Sequence, residues 1–127
     1  MPHLNDSQAF SSFSVDDIER AGSFYGGVLG LEVVEEDGLL NITLGSGAHV
    51  LAYPKGDGHV PATFTILNFP VADVPATVDE LTAAGITFER YDGFEQDDRG
   101  VAHGPGPLIA WFKDPAGNVL AVLEESP

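Results

Sequence analysis

The chain has no cysteine among its 127 residues. That excludes disulfides, a thiol nucleophile, Cys-ligated zinc and iron–sulfur clusters. Cations are scarce too: five Lys and Arg stand against twenty Asp and Glu, a formal charge of −15. The five lie scattered as Arg20, Lys55, Arg90, Arg99 and Lys113. Phosphate backbones and anionic lipid surfaces are held by clustered cations, so neither nucleic acid nor a membrane surface is an expected partner. No apolar run approaches the ~20 residues a spanning helix needs. Met1–Asp6 shows neither a cationic start nor an apolar stretch, so a cytoplasmic location is expected. What is present is 43% hydrophobic residues, eight of them Phe, enough apolar material for one domain with a core.

The chain repeats itself. Phe13-Ser-Val-Asp-Asp-Ile18 lies over Phe69-Pro-Val-Ala-Asp-Val74 at an offset of 56 residues. Leu29-Gly-Leu31 lies over Ala84-Gly-Ile86, and Asp37-Gly38 over Asp92-Gly93, at 55. His49-Val-Leu-Ala52 then lies over Asn118-Val-Leu-Ala121 at 69, so the second copy carries fourteen extra residues between Gly93 and Asp114. An insertion of that size is typical of a functional loop. Modules at about 8–56 and 62–125 are each too small for a stable core alone, and together predict a single domain.

Each module reads as βαβββ. In the first, strands are predicted at 9–15, 31–36, 38–44 and 48–53. A helix follows the first strand, with Asp16 as its cap, Glu19 in capping-box position, an apolar stripe from Ile18 to Leu29, and Gly30 as its stop. In the second, strands are predicted at 63–71, 86–91, 108–112 and 119–123. Its helix is capped by Asp73, carries Pro75 near its start and stops at Gly85. One helix cannot cover both faces of four strands, so the sheets are expected to curl around a central cleft in an α+β fold.

These residues resemble the vicinal oxygen chelate superfamily of glyoxalase I, bleomycin-resistance proteins and extradiol dioxygenases. Phe24-Tyr25-x-x-Val28-Leu-Gly-Leu31, Ala83-Ala-Gly-Ile86 and Phe112-Lys-Asp-Pro-Ala-Gly-Asn118 carry the resemblance, which covers nearly the whole chain. It implies the glyoxalase/bleomycin-resistance/dioxygenase fold, homodimerisation, and a divalent metal held by four side chains, usually His or Glu, on the first and last strand of each module. Counting from Asp17, Asp73 and Asp114 puts those positions at Phe10, Ile66 and Ala121, and the repeat carries Ala121 back to Ala52. None offers a donor atom, and a cation is not held by methyl groups and a phenyl ring. No metal and no cofactor is therefore expected. Shifting the count by one gives Ser11, Leu51 or Tyr53, Leu67 and Val122, which is no better a set.

Strand alternation then assigns a cleft lined by Phe10, Ser12, Ala52, Ile66, Asn68 and Ala121, with Trp111 as one wall. His103 sits in the long loop beside Asp97, Asp98 and Arg99, where it could serve as a general base or a ligand contact. His49 and His59 read as solvated loop histidines. The expected function is metal-independent binding of a small aromatic or cationic molecule in the cleft. The alternative is a glyoxalase-like lyase or dioxygenase using a divalent metal or a metal-independent His103/carboxylate site.

Overall fold

A computed structural model describes residues 3–124. The chain divides between His59 and Val60 into two compact units. In the first, β1 (Ser11–Val15), β2 (Glu32–Glu36), β3 (Leu39–Thr43) and β4 (His49–Pro54) form a mixed sheet in the order β1-β4-β3-β2. β1 runs parallel to β4, and the other pairs are antiparallel. In the second, β5 (Thr65–Val71), β6 (Ile109–Lys113) and β7 (Val119–Glu124) are ordered β5-β7-β6, with β5 parallel to β7. The architecture is α+β, with two small mixed sheets of four and three strands.

A helix follows the first strand of each unit, α1 (Ile18–Gly22) and α2 (Val74–Ala83). The cap of α1 is Asp17, one residue later than expected: its Oδ1 accepts the Glu19 and Arg20 amides at 2.9 and 3.2 Å. Asp16 pairs with Arg20 at 3.5 Å instead. Nor does α1 run on as a regular helix. Ser23–Val28 are π-helical, and the Leu29 amide reaches back five residues to the Phe24 carbonyl at 2.9 Å. The wider turn falls on Gly26 and Gly27, and a Cβ at Gly26 would lie 2.8 Å from Val33 Cγ2. This close approach seats the segment on β2. α2 begins as expected, with Asp73 Oδ1 accepting the Ala76 amide at 3.0 Å and proline in its first turn. Glu124 Oε2 accepts the Val74 amide at 2.9 Å and ties the helix start to the end of β7.

Alternation sorts each sheet into a helix-covered face and an opposite face. In the first unit Phe13, Val15, Leu40, Ile42, Val50 and Ala52 are buried, and the Phe13 ring lies 5.7 Å from that of fully buried Tyr25. In the second, Val74 and Val78 of α2 are buried with Ala110, Phe112, Leu120 and Val122. Each such valine stabilises the fold by roughly 1.5 kcal/mol. The strand expected at 86–91 does not form. Only Phe88 bridges to Phe112; beyond it the Glu89 amide donates to the Trp111 carbonyl at 2.8 Å, and the Tyr91 amide bonds to Gln96 Oε1 instead of a ladder partner. The second sheet therefore has three strands where four were expected.

Candidate functional site

In the second unit the inserted segment lines a pocket of about 540 Å³, from Gly93 to Glu95 and from Ala102 to Pro107, together with Ile109 and Trp111 of β6. Its volume suits a small organic ligand. Trp111 is the only tryptophan of the chain. The Phe94 ring packs against it at 5.1 Å, and the Tyr91 ring meets it nearly edge-on at 5.4 Å. The Gly104–Pro107 wall contains two prolines, which offer carbonyls and no amide N–H. Burial and then the Glu89 carboxylate push the Tyr91 phenol up, so it stays protonated at neutral pH.

Side chains, more than ladder hydrogen bonds, hold this segment. Gln96 Oε1 accepts the Tyr91 amide at 2.8 Å, while its Nε2 donates to the carbonyls of Glu89 and Gly100 at 2.9 and 2.8 Å. Arg90 Nη2 donates to the carbonyls of Asp97 and Asp98. Arg99 grips Asp79 of α2 through two hydrogen bonds of 2.9 and 3.2 Å. At the pocket edge, His103 Nε2 pairs with Asp97 Oδ2 at 2.8 Å. Asp97 Oδ1 also accepts the Arg99 and Val101 amides at 2.9 and 3.0 Å. Burial works against the charged carboxyl, but the His103 bond and these two amides outweigh it and hold Asp97 below the usual carboxylate range. Asp97 is thus ionised at neutral pH and fixes the imidazole, and among the described residues Nδ1 has no partner.

The eight cleft residues expected from the sequence are distributed as follows. His103 and Trp111 line the same pocket. Asn68, Ala121 and Trp111 are adjacent across β5, β7 and β6, on the face opposite α2, where Ala121 is fully buried. Ile66 is the extra residue of a bulge between Thr65 and Leu67. In the first unit Phe10 is 63% exposed and borders a separate pocket of about 500 Å³ with Asn41, His49 and Leu51, and Ser12 pairs with Leu51 on that exposed face. Ala52 does not share it. It pairs with Phe13 and Leu40 on the helix-covered face and is completely buried. Leu51 and Tyr53 occupy the face of Ser12 and Ser14, one residue away from the position counted along the repeat.

Two histidines are not free loop residues. His59 Nδ1 lies 2.8 Å from Ser14 Oγ, and His49 Nδ1 lies 3.4 Å from Thr43 Oγ1. No local signal in the sequence joins His59 to a residue 45 positions away. Phe94 and the Pro105–Pro107 wall were also missed as lining. Their one signal was the length of the insertion.

Phe10, Ala52, Ile66 and Ala121 carry no side-chain donor atom. Among the described residues no three His, Asp or Glu side chains come together in a group that could hold a metal ion. The residues present do not fit the divalent metal of the family.

Over residues 3–122 the chain matches the Glyoxalase/Bleomycin resistance protein/Dioxygenase superfamily. The chain belongs to this superfamily. Several solved structures share its fold at low identity. TnmS3, an antibiotic binding protein from Streptomyces sp. CB03234, is 23% identical, with 99% of this chain and 98% of that one covered and a TM-score of 0.69. A glyoxalase/bleomycin resistance protein from the same strain is 23% identical over 93% and 100% of the two chains, with a TM-score of 0.64. The oxidase ChaP-H2 is 20% identical over 92% and 91%, with a TM-score of 0.68. No curated protein matches. The same fold is thus shared by an antibiotic binding protein and an oxidase, and function has to be argued from the site. Among the described residues no helix is long and apolar enough to cross a membrane.

Proposed function

We propose that this superfamily member binds a small, flat, cationic aromatic molecule in the Trp111 pocket and does so without a metal. The observation that carries the reading is the chemistry of the lining. Trp111 and Phe94 supply aromatic surface, Glu95 supplies a carboxylate, His103 supplies a ring nitrogen, and no Lys or Arg contributes. Aromatic faces attract organic cations through the ring quadrupole, by about 0.5–2 kcal/mol per contact. A net charge of −15 raises the local concentration of cations around the whole chain. The fold shared with an antibiotic binding protein is compatible with capture rather than turnover. The lack of donor atoms at Phe10, Ile66 and Ala121, and the absence among the described residues of any group of three His, Asp or Glu side chains that could hold a metal ion, support metal independence.

The test is isothermal titration of the full chain with N-methylquinolinium, a permanently charged flat probe, and with 2-naphthalenemethanol, a neutral bicyclic probe. Saturable binding of the cation is expected, stronger than of the neutral probe, unchanged by prior dialysis against a chelator and lost in Trp111→Ala. Binding that requires an added metal, or no saturable binding of either probe, would overturn it. The same reading takes the protein to act as a cytoplasmic homodimer, and a monomeric mass by light scattering would count against the dimer.

A further inference from the structure

We infer that His103 is the specificity-determining residue of the Trp111 pocket, and that its protonation switches cation binding off. The inference rests on the proposed cation pocket and concerns the regulation of that same site. While the imidazole is neutral, its Nε2–H donates to Asp97 at 2.8 Å and Nδ1 is left as an acceptor. The pair then carries one negative charge beside a pocket whose other charged lining group is Glu95. Proton uptake at Nδ1 makes the pair neutral overall and converts that acceptor into an N–H donor. Both changes act against a bound cation, one through the field and one through the lost acceptor.

The groups around His103 leave this proton as the variable charge of the site. On its own segment, Asp97 is held ionised, and Glu95, whose carbonyl accepts the His103 amide at 3.1 Å, brings a second carboxylate to the lining. Asp98 shares that turn. Of the two nearby guanidinium groups, Arg99 is paired with Asp79 of α2, and Arg90 donates to the backbone carbonyls of Asp97 and Asp98, a fixed charge on that turn that does not vary with pH. From Gly104–Pro107, and from Ile109 and Trp111 of β6, no titratable side chain enters the lining. Histidine is the side chain that ordinarily changes charge between about pH 5 and 8, where carboxylates stay ionised. One unit of charge a few ångströms from a bound cation in a partly solvated site alters affinity about tenfold.

The experiment titrates N-methylquinolinium into the full chain from about pH 8 down to about pH 5.5, a range in which the probe's own charge cannot change. Affinity is expected to fall about tenfold toward acid pH, while 2-naphthalenemethanol affinity stays flat. By linkage, cation binding in mid-range must release a fraction of a proton, read as a dependence of the binding enthalpy on buffer ionisation enthalpy. His103→Gln keeps a polar, untitratable side chain and is expected to remove both the pH slope and the proton release. A flat wild-type profile, or a His103→Gln profile as steep as wild type, would overturn the inference and leave the cation pocket standing. Absence of cation binding at every pH would overturn both. Should His103→Gln fail to fold, the proton release of the unmodified chain decides by itself.

Discussion

Asn118 is bound to Asp114 through both its backbone amide and its side-chain amide nitrogen. Asp114 Oδ1 accepts the Ala116 and Asn118 amides at 2.9 and 2.8 Å, and its Oδ2 accepts Asn118 Nδ2 at 3.1 Å. Asn118 Oδ1 in turn accepts the Ala62 amide at 3.0 Å, so the turn between β6 and β7 also fixes the approach to β5. Both side chains are buried, at 5% and 1% exposure. Asp114→Ala removes the carboxylate that accepts three buried N–H groups and is expected to cost about 2–4 kcal/mol, measured by urea denaturation. Asn118→Ala is expected to cost less, about 1–3 kcal/mol, because the carboxylate keeps its two amide bonds. Equal, negligible losses in both variants would show that water replaces these bonds without penalty.

The two glycines of the π-helical turn look alike in sequence and differ in structure. A Cβ at Gly26 would meet Val33 Cγ2 at 2.8 Å, whereas one at Gly27 meets nothing within 4 Å. Gly26→Ala is therefore expected to destabilise by about 1–3 kcal/mol through overpacking. Adding Val33→Ala should recover part of that loss, a non-additivity that a double-mutant cycle measures directly. Gly27→Ala is expected to be neutral or to stabilise by up to about 1 kcal/mol, since alanine is the better helix former.

Period, caps and glycines made most of the fold legible. Asp73, Pro75 and Gly85 bound α2 because capping and chain reversal are local events, written within a few residues of where they act. Asp16 and Asp17 show the limit of that information. Either carboxylate can cap, and the structure gives the role to Asp17 while Asp16 pairs with Arg20. Ala52 shows a second limit. Aligning the two copies transfers a position along the chain but not a face of the sheet, and one residue of register reverses the side chain. For the site, Trp111 and His103 could be named from sequence. The Phe94 and Tyr91 packing and the Asp97 anchor depend on how the insertion folds back on itself, through Gln96 and Arg90, and no periodicity encodes that.

Acid should loosen the inserted segment before it unfolds the sheets. The Arg99 hydrogen bond holds Asp79 below the ordinary carboxylate range, and Asp97 lies below it for the reasons given above. A carboxyl whose folded pKa is depressed contributes stability that is complete above its unfolded value, about 3.9 for Asp, and is lost as pH falls through the lower folded value. Stability is thus expected to be flat for these two groups above about pH 5 and to decline below about pH 4. Asp79→Asn should flatten part of that decline. Amide hydrogen exchange as pH is lowered should show residues 97–103 losing protection ahead of β7.

Gln96 gives the sharpest separation between holding the pocket and touching its ligand. It lies outside the lining, yet its amide satisfies three backbone groups, Tyr91 N–H and the carbonyls of Glu89 and Gly100. Gln96→Ala leaves all three to be met by water or not at all, which is expected to cost about 1–3 kcal/mol locally. The loss falls between Tyr91 and Gly100, the stretch that presents Phe94 and Glu95 to the pocket and anchors Asp97. Ligand affinity should drop several-fold because ordering the segment becomes part of the cost of binding. The pH slope of whatever binding remains should persist, since the His103–Asp97 pair is chemically unchanged. Calorimetric titration with N-methylquinolinium across pH separates the two effects. A variant that binds as tightly as wild type would show that the segment is held without Gln96.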